Sequence, residues 1–504
     1  MRISFNADPQ TLDPRKNSDL VSSTLIFMLY DGLTKTLPNG QIILSLAESY
    51  TLSEDQKTYT FFLRPAKWSD GEPITAKDFA FSWRTQLDAN FPCPCRYLLY
   101  PIKNAEKIAK GELPLDAFGV RAVDDRTLVV QLENPAPYFL SVTSFCNLAA
   151  LPQHIVQKNP DWERSASLPV VSGPFLLQKW NKHSEILLKK NPSYWNAPNS
   201  KLEGIHVSII TDENTALQLF ENDELDWIGT PISPLPQEAI LELQKKKQIS
   251  FHPIAGTLYL AFNLYRAPFD NHNFRMALSY ALNRKDIVEN ISQQEEIVAT
   301  RCIPPTLMDN QDRLLIEDNQ IEMARSYFQK AMAELEMEPK ELEKIRFIYR
   351  SPSQKNIAQT LQKQWEKAFG ITIAIEGLEY KVLLDKLAKH DYDITLGLWI
   401  AQVNDPINIL DRFKFSWNPK NYTGWHDPEY IQLLDDSSLA KSKEERFHLL
   451  EKAEERFMKE RPIIPIYHFN YATISKPYIH NVSICPIGSI QFYSTYISSG
   501  NEPN

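Results

Sequence analysis

The chain has 504 residues, of which 63 are acidic and 54 are basic, giving a formal net charge of −9. A single hydrophobic core does not usually serve a chain of this length, so we expect two or more lobes. Hydrophobic residues make up 43% and charged residues 23%, which excludes a disordered chain. The acidic balance argues against a nucleic-acid partner, and the basic run at residues 245–247 is interpreted as a solvated helix end.

The sequence carries no obvious targeting or membrane segment. No apolar stretch approaches the roughly 18–20 residues that cross a bilayer. Residues 1–8 form a polar, strand-like start without the basic and apolar regions of a signal peptide. Two interpretations stay open from these residues: a cytoplasmic protein, or a protein whose targeting segment was removed and replaced by a start methionine.

The cysteines predict neither a zinc site nor a complete set of disulfides. They stand at positions 93, 95, 146, 302 and 485. Cys93 and Cys95 are too close for an easy disulfide, and no Cys-x-x-Cys pair is present. Because the number is odd, at least one thiol is predicted to stay unpaired within a monomer, and the cysteines do not settle the compartment.

The first half of the chain shows strands and one clearly capped helix. Apolar patterns predict a helix over residues 18–29, strands around Ile3 and Phe5 and at residues 59–64 and 128–132, and a hairpin from residues 175–180 and 185–189. Thr75 and Asp78 have the spacing of a capping box. Phe79, Trp83 and Leu87 recur every four residues and would give this helix one apolar stripe.

The second half alternates strands with helices. The patterns predict a strand from Thr257, a helix over residues 273–282, a strand at 345–349, a helix ending near 367–370, and strands at 371–375 and 392–399. This alternation predicts an α/β fold with largely wound sheets. No repeat period or low-complexity tract is visible.

Sequence motifs of the common enzyme classes are absent. The chain contains no Gly-x-Ser-x-Gly elbow, no His-Glu-x-x-His pair, no Walker loop and no Gly-x-Gly-x-x-Gly fingerprint. Its ten histidines are dispersed, with none paired at the i, i+4 spacing. We therefore expect a protein that is not an enzyme and needs no metal or cofactor.

Ordered motifs along the whole chain resemble the family 5 extracellular solute-binding proteins. The most specific block comprises residues 46–50 (LAESY), 59–64 (YTFFLR) and 68–79 (WSDGEPITAKDF). Further matches follow in order at residues 134–139 (NPAPYF), 173–175 (GPF), 190–195 (KNPSYW), 262–263 (FN), 268–269 (PF), 275–284 (RMALSYALNR) and 462–467 (PIIPIY).

The resemblance implies a two-lobed, clamshell α/β fold of the type II periplasmic binding proteins, with an extra subdomain in the first lobe. Lobe I would comprise residues 1–31, 150–250 and 470–504, the extra subdomain residues 32–149, and lobe II residues 251–469. The implied function is capture of peptides between the lobes and delivery to the permease of an ABC importer. It further implies a periplasmic, monomeric protein, made with a signal peptide and often lipid-anchored, which favours a removed targeting segment.

The same resemblance implies a ligand-binding strand and loop over residues 398–406. Peptide binders of this family hold an extended ligand chiefly through its backbone. Here Trp399 would form the wall of a side-chain pocket, and Ile400 would contribute main-chain hydrogen bonds. Gln402 stands where such binders carry a carboxylate for the ligand's α-ammonium, so that charge is missing. Asp405 or Asp8 could replace it, although Asp8 before Pro9 reads equally well as a turn residue.

Other implied contacts are more dispersed. Tyr259, Asn421, Tyr467 and His468 match ligand-lining positions. An arginine that some relatives use for the peptide carboxylate corresponds to Leu396, and Arg350 is a candidate replacement, with a solvated arginine as the alternative. A disulfide found in some relatives would join the positions of Gly256 and Ile400, so it is absent.

Without its charged anchors, the site predicts an unusual ligand, such as a murein-derived peptide or a peptide with a modified amino end. The alternative keeps the fold and changes the solute to an oligosaccharide, an opine or a nickel chelate. A sugar binder would also lack the carboxylate and would stack sugar rings on aromatic side chains, of which the chain has 10 Trp and 21 Tyr. The backbone-binding strand and the whole-chain match favour a peptide, and an enzyme using the cleft is the weakest hypothesis.

Overall fold

A computed structural model describes residues 1–164, 169–308, 313–418 and 420–498. The chain forms two compact units. Unit 1 comprises Met1–His252 and Tyr471–Asn504, and unit 2 comprises Pro253–Asn470. The chain passes between the units twice, and both crossings fall inside long β-strands.

Unit 1 contains a mixed sheet and a separate antiparallel sheet. Its strands before the first crossing are β1 (Arg2–Phe5), β2 (Thr34–Thr36), β3 (Ile42–Leu44), β4 (Ala47–Leu52), β5 (Thr58–Leu63), β6 (Val120–Ala122), β7 (Thr127–Gln131), β8 (Phe175–Asn181), β9 (Glu185–Lys190), β10 (Gly204–Ile209) and β11 (Trp227–Gly229). In the mixed sheet β1 is parallel to β10 and β11, and β9 and β8 follow β10 as antiparallel strands. The separate sheet has the order β4–β5–β7–β6.

The helices of unit 1 are α1 (Leu20–Leu29), α2 (Ala76–Gln86), α3 (Ala105–Ala109), α4 (Phe139–Val142), α5 (Gln153–Val156), α6 (Glu213–Glu221) and α7 (Gln237–Lys245). Two of them, α1 and α2, were predicted from the sequence. Thr75 and Asp78 form the predicted capping box of α2. The predicted stripe of Phe79, Trp83 and Leu87 is fully buried, and the Trp83 indole donates to the Leu148 carbonyl at 2.8 Å. Both predictions for this helix are confirmed.

Unit 2 is built on one mixed sheet. Its strands are β12 (Ser250–Phe262), β13 (Ile297–Val298), β14 (Arg346–Arg350), β15 (Ala374–Leu378), β16 (Ile394–Ile400) and β17 (Ile463–Ser475). The order is β15–β14–β16–β12–β17, with β13 also paired to β17. β12 begins in unit 1 and β17 ends there, where its last residues pair with β11. The remaining strands of unit 1 are β18 (Ile479–His480), β19 (Ser483–Ile484), β20 (Ile490–Gln491) and β21 (Tyr496–Ile497).

Helices pack against both faces of the unit 2 sheet. The helices of this unit are α8 (His272–Tyr280), α9 (Arg284–Asp286), α10 (Ile321–Leu335), α11 (Lys355–Phe369), α12 (Tyr380–Ala388), α13 (Ile407–Leu410), α14 (Pro428–Leu439) and α15 (Lys443–Glu460). The main core joins Leu258, Leu260 and Phe262 of β12 to buried residues of α8, α10 and α11, such as Trp365. The Trp365 indole donates to the Leu278 carbonyl at 3.1 Å, which ties α11 to α8.

One predicted strand begins later than expected. Residues 371–375 were predicted as a strand, but β15 covers Ala374–Leu378 and pairs over that whole length with β14. Gly370, at a φ of 70°, ends α11 in the left-handed region. Ile371 and Ile373 are buried in the core while the chain returns to the sheet edge, so their apolar pattern reflects burial rather than strand pairing.

All five cysteines lie in the described ranges, and none of them forms a disulfide there. Burial raises the pKa of Cys93 and Cys146 to about 12 and that of Cys485 to about 11. Because the thiolate is the reactive species, the native chain is expected to react only slowly with a thiol reagent at pH 8. Titration should detect five thiols after unfolding. Rapid labelling of the native chain would contradict this prediction.

No helix in the described part of the chain is both long and apolar enough to cross a bilayer. Among the same residues, no group of three or more His, Cys, Asp or Glu side chains is gathered as metal ligands would be.

Candidate functional site

Alternate residues of β16 direct their main-chain N–H and C=O groups toward the neighbouring strand β12, and the residues between them direct theirs to the opposite side. β16 pairs antiparallel with β12, from Ile394 opposite Phe262 to Ile400 opposite Gly256. Just past the strand, the Ala401 N–H donates to the Ala255 carbonyl at 2.7 Å. Bonded and non-bonded pairs alternate in such a ladder, so odd-numbered residues of β16 bond to β12. The main-chain groups of Leu396, Leu398 and Ile400 therefore point the other way.

On that other side, β14 covers only the beginning of β16. The parallel ladder pairs Phe347 with Ile394 and Ile348 with Thr395, and it ends there. At the far end the Gln402 N–H donates to Asn408 Oδ1 at 3.0 Å. Between these points no strand of the described chain pairs with Leu398 and Ile400 on the side away from β12. We call the main-chain N–H and C=O groups of these two residues the open edge of β16.

The side chains around the open edge form an apolar surface on one face and an aromatic layer on the other. Leu398 is 45% exposed, whereas Trp399 is 7% exposed and points to the opposite face. On the Trp399 face, the ring of the buried Tyr259 lies over Gly397, where an added Cβ would come within 2.4 Å of it. Gly397 is therefore required for Tyr259 to pack against β16, and Phe413 meets the same ring edge-on.

Gly256 and Ile400 lie directly opposite each other in this ladder. They form a non-hydrogen-bonded pair, which brings facing residues closest together. A Cβ on Gly256 would lie 3.1 Å from Ile400 Cγ1 and 2.9 Å from Phe469 Cδ2. In this chain these two apolar side chains occupy the space in which, by the family resemblance, some relatives have a disulfide.

The two carboxylates that could replace the missing charge at Gln402 both have intramolecular partners. Asp405 forms a bidentate ion pair with Arg446, with distances of 2.7 and 2.8 Å, and also accepts from the Ile407 N–H. Asp8 lies in unit 1, where it accepts from the Trp180 indole at 3.1 Å and from the His183 N–H at 2.7 Å. Each carboxylate thus stabilises the chain segment around it, within its own unit.

Tyr467 and His468 lie on β17 and are almost fully buried. His468 Nδ1 is 2.9 Å from the Thr257 hydroxyl, which donates to the Cys302 carbonyl at 3.1 Å. Burial lowers the pKa of His468 to about 3, so the ring is neutral at physiological pH. The predicted residues Tyr259, Trp399 and His468 thus lie on neighbouring strands of one sheet.

Acid is expected to destabilise the protein through His468. Its pKa lies below the ordinary 6.5, so on acidification the unfolded chain binds a proton first. This contribution to stability is fully present above pH 6.5 and is lost as the pH falls toward 3, by at most about 1.4 kcal/mol per pH unit. Denaturant unfolding across this range should show a shallower decline in His468→Gln, while a variant of the exposed His206 keeps the wild-type slope. Equal slopes for wild type and His468→Gln would contradict this.

Asn421 is 1% exposed and holds its own loop together. Its Nδ2 donates to the carbonyls of Phe415 and Trp425 at 3.1 and 3.0 Å, and its Oδ1 accepts from Thr423 at 2.7 Å. The structure gives this side chain a structural role, and its contact with a ligand stays a prediction.

Arg350 is exposed at the end of β14. Its N–H donates to Gln354 Oε1 at 2.9 Å, and its guanidinium carbon lies 4.7 Å from the centre of the Tyr380 ring. The structure therefore places this arginine beside the point where β14 and β16 stop pairing.

Sequence reasoning placed Leu398 only within the ligand-binding segment of residues 398–406, and it did not identify Asn408. The residue types gave no sign of these positions, because Leu398 presents its main chain at the open edge and Asn408 closes that edge from a loop. Only the register of β16 against β12, which fixes the hydrogen-bond alternation, identifies them.

A family model for bacterial extracellular solute-binding proteins, family 5, matches residues 41–421. Oligopeptide-binding protein OppA of Bacillus subtilis is 36% identical over 502 residues, covering 98% of this chain and 92% of the relative. OppAIV, a periplasmic oligopeptide-binding protein from Borrelia burgdorferi, has a solved structure with a TM-score of 0.84 and 26% identity, covering 99% of both chains. Haemophilus influenzae OppA in complex with RPPGFSPFR gives a TM-score of 0.81 at 28% identity, covering 99% and 98%.

These likenesses define the class of protein as an α/β periplasmic binding protein of type II, which confirms the predicted fold class. The chain belongs to the family 5 bacterial extracellular solute-binding proteins. The resemblance seen in the sequence motifs is thereby confirmed.

Proposed function

We propose that this chain binds peptides by adding them as a strand to the open edge of β16. The observation that supports this is the pair of unused main-chain residues, Leu398 and Ile400, between the end of the β14 ladder and Gln402. An extended peptide supplies complementary N–H and C=O groups at the same spacing whatever its side chains are. Recognition through the backbone thus accepts many sequences.

The aromatic and apolar side chains around the edge would contribute to binding. Trp399 and Tyr259 give one face of the strand a rigid aromatic layer, while Leu398 is exposed on the other face. Tyr467, His468 and Asn421, which the sequence predicted to line the ligand, are buried, so here they would support the packing of the residues around the edge.

We further propose that the chain delivers its peptide to the permease of an ABC importer and acts outside the cytoplasm as a monomer, without catalysing a reaction. Its relatives named as oligopeptide-binding proteins support this reading. The same proposal includes a periplasmic location and a lipid anchor. It also divides the chain into lobe I (residues 1–31, 150–250 and 470–504), an extra subdomain (residues 32–149) and lobe II (residues 251–469).

Mass spectrometry of ligands that co-purify with the chain would test this function directly. We expect the recovered ligands to be a mixture of short peptides. Partial unfolding and refolding should remove them, and the emptied chain should then bind peptides from a synthetic pool in isothermal titration. Recovery of only an oligosaccharide, an opine or a nickel chelate, with no heat on adding peptides, would overturn the proposal. Turnover of the bound peptides by the pure protein would overturn its non-catalytic part.

A further inference from the structure

Two cysteines of unit 1 contact the same pair of asparagine side chains. The Cys95 Sγ donates to the Asn17 carbonyl at 3.6 Å. The Cys146 Sγ accepts from Asn17 Nδ2 at 3.3 Å and lies 3.6 Å from Asn147 Oδ1. Asn147 Nδ2 donates to the Asn17 carbonyl at 3.0 Å, and Asn17 Nδ2 donates to Asn147 Oδ1 at 3.3 Å. Both sulfur atoms therefore meet one compact pair of amides, although the two cysteines are far apart in the sequence.

The fold of unit 1 holds both cysteines in place. Cys95 stands before the 3₁₀ turn Arg96–Leu99, and Arg96 ties this turn to the end of α2 by donating to the Gln86 carbonyl at 2.8 Å. Cys146 begins a second 3₁₀ turn. Both cysteines are buried, at 6% and 4% exposed. Their approach to a common partner thus comes from the packing of the core and not from an exposed loop.

The contacts of the two sulfurs with Asn17 and Asn147 are weak, because a thiol is a weak donor and a weak acceptor. A sulfur bonded only to Cβ changes its position by rotation about the Cα–Cβ bond, between staggered rotamers. Such a rotation exchanges a thiol–amide contact for a contact between the sulfurs and leaves the two hydrogen bonds between the asparagines intact.

The remaining cysteines are placed differently. Cys93 is separated from Cys95 by a single proline, a spacing too short for an easy disulfide. Cys302 lies in unit 2. Cys485 donates to a main-chain carbonyl of β2 at 3.1 Å. Sharing of Asn17 as a partner therefore distinguishes the pair formed by Cys95 and Cys146.

We infer that Cys95 and Cys146 are a disulfide-forming pair, which joins the two 3₁₀ turns when the chain meets an oxidising small-molecule disulfide such as oxidised glutathione. The inference goes beyond the proposed function and does not rest on it. The thiolate of one cysteine attacks the small disulfide, forms a mixed disulfide and releases one small thiolate. The thiolate of the other cysteine then attacks the protein sulfur of the mixed disulfide and releases the second. Each cysteine gives up one proton to a released thiolate, and two electrons pass to the small disulfide.

The bond would stabilise unit 1. It closes a loop of about 50 residues that contains α3, β6, β7 and α4. A cross-link over such a loop favours the folded chain, because it restricts the conformations of the unfolded chain. Both sulfurs are buried, so a small thiol would reach the finished bond only slowly. The disulfide therefore acts as a lasting link in unit 1 and not as a readily reversed switch.

Refolding in a glutathione buffer tests this pair, because unfolding first makes the buried thiols accessible. The chain is purified in a reductant, unfolded, and refolded with a mixture of oxidised and reduced glutathione. It is then alkylated in denaturant and analysed by mass spectrometry. We expect three alkylated cysteines in place of the five of the reduced chain, and one cross-linked pair of peptides that contains Cys95 and Cys146. The oxidised chain should melt several degrees above the reduced chain.

Matched variants make the result specific. Cys146→Ser, treated in the same way, should give no cross-linked peptides and no rise in melting temperature. Cys93→Ser should form the same link as the wild type. Five alkylated cysteines in the oxidised wild type, or a link between any other two cysteines, would overturn the inference. Neither outcome involves peptide binding, so the proposed function would be unaffected by it.

Discussion

Glu454→Leu is expected to lower the free energy of unfolding by about 3–5 kcal/mol, because it removes the nearest charged partner of the buried Arg301. Both side chains are fully buried. Arg301 donates to Glu454 Oε2 through Nε at 2.9 Å and through a terminal nitrogen at 2.7 Å. Glu454 Oε1 accepts from the Ile303 N–H at 2.8 Å, so the substitution also removes the support of that segment.

A double variant separates the ion pair from ordinary packing. Replacing both partners, in Arg301→Met with Glu454→Leu, also removes the buried charge of Arg301, and much of the lost stability should return. Asp125→Ala, which breaks the exposed pair with Lys77, should leave the unfolding midpoint nearly unchanged. Denaturant unfolding monitored by tryptophan fluorescence measures all three variants. A loss below about 1 kcal/mol in Glu454→Leu would show that the pair does not hold this part of unit 2.

Leu398→Pro is expected to weaken peptide binding by about ten- to a hundredfold while leaving the chain folded. Proline removes the N–H that the open edge offers to a ligand, and its ring occupies the space of the pairing strand. The fold should tolerate the change, because the alternation of the ladder directs this N–H away from β12.

Two control substitutions make this prediction specific. Leu398→Ala keeps the N–H and should stay within about threefold of the wild-type affinity, since it removes only apolar contact at a half-exposed position. Trp399→Pro removes an N–H that belongs to the β12 ladder and should lower the melting temperature sharply. Titration calorimetry and thermal unfolding measure the two effects separately. Wild-type affinity in Leu398→Pro would rule out strand addition at this edge.

Short-range patterns in the sequence predicted part of the fold correctly. Thr75 and Asp78 cap α2 as their spacing predicted, and the buried stripe of Phe79, Trp83 and Leu87 follows from helix periodicity. These features depend on residues within one or two turns, so the sequence records them directly. At residues 371–373 the same reasoning went wrong, because an apolar run indicates burial but not the partner strand.

The candidate site depended on contacts between residues distant in sequence. Asp405 looked able to replace the charge missing at Gln402, but Arg446 occupies it from α15. Asp8 is held by Trp180 and His183 from the β8–β9 hairpin. A carboxylate in a sequence gives no indication of which cation will reach it, since that depends on how separate elements pack.

The amino-acid sequence by itself determined the family and the α/β class and pointed to the candidate segment of residues 398–406, because ordered motifs and periodicity are local properties of the chain. Only the tertiary structure decided which main-chain groups of that segment are unused. The register between β12 and β16 fixes the alternation, and the early end of β14 exposes Leu398 and Ile400 beside Arg350. Strand register is set by the packing of whole sheets, so a one-residue shift would reverse every face without changing the pattern in the sequence.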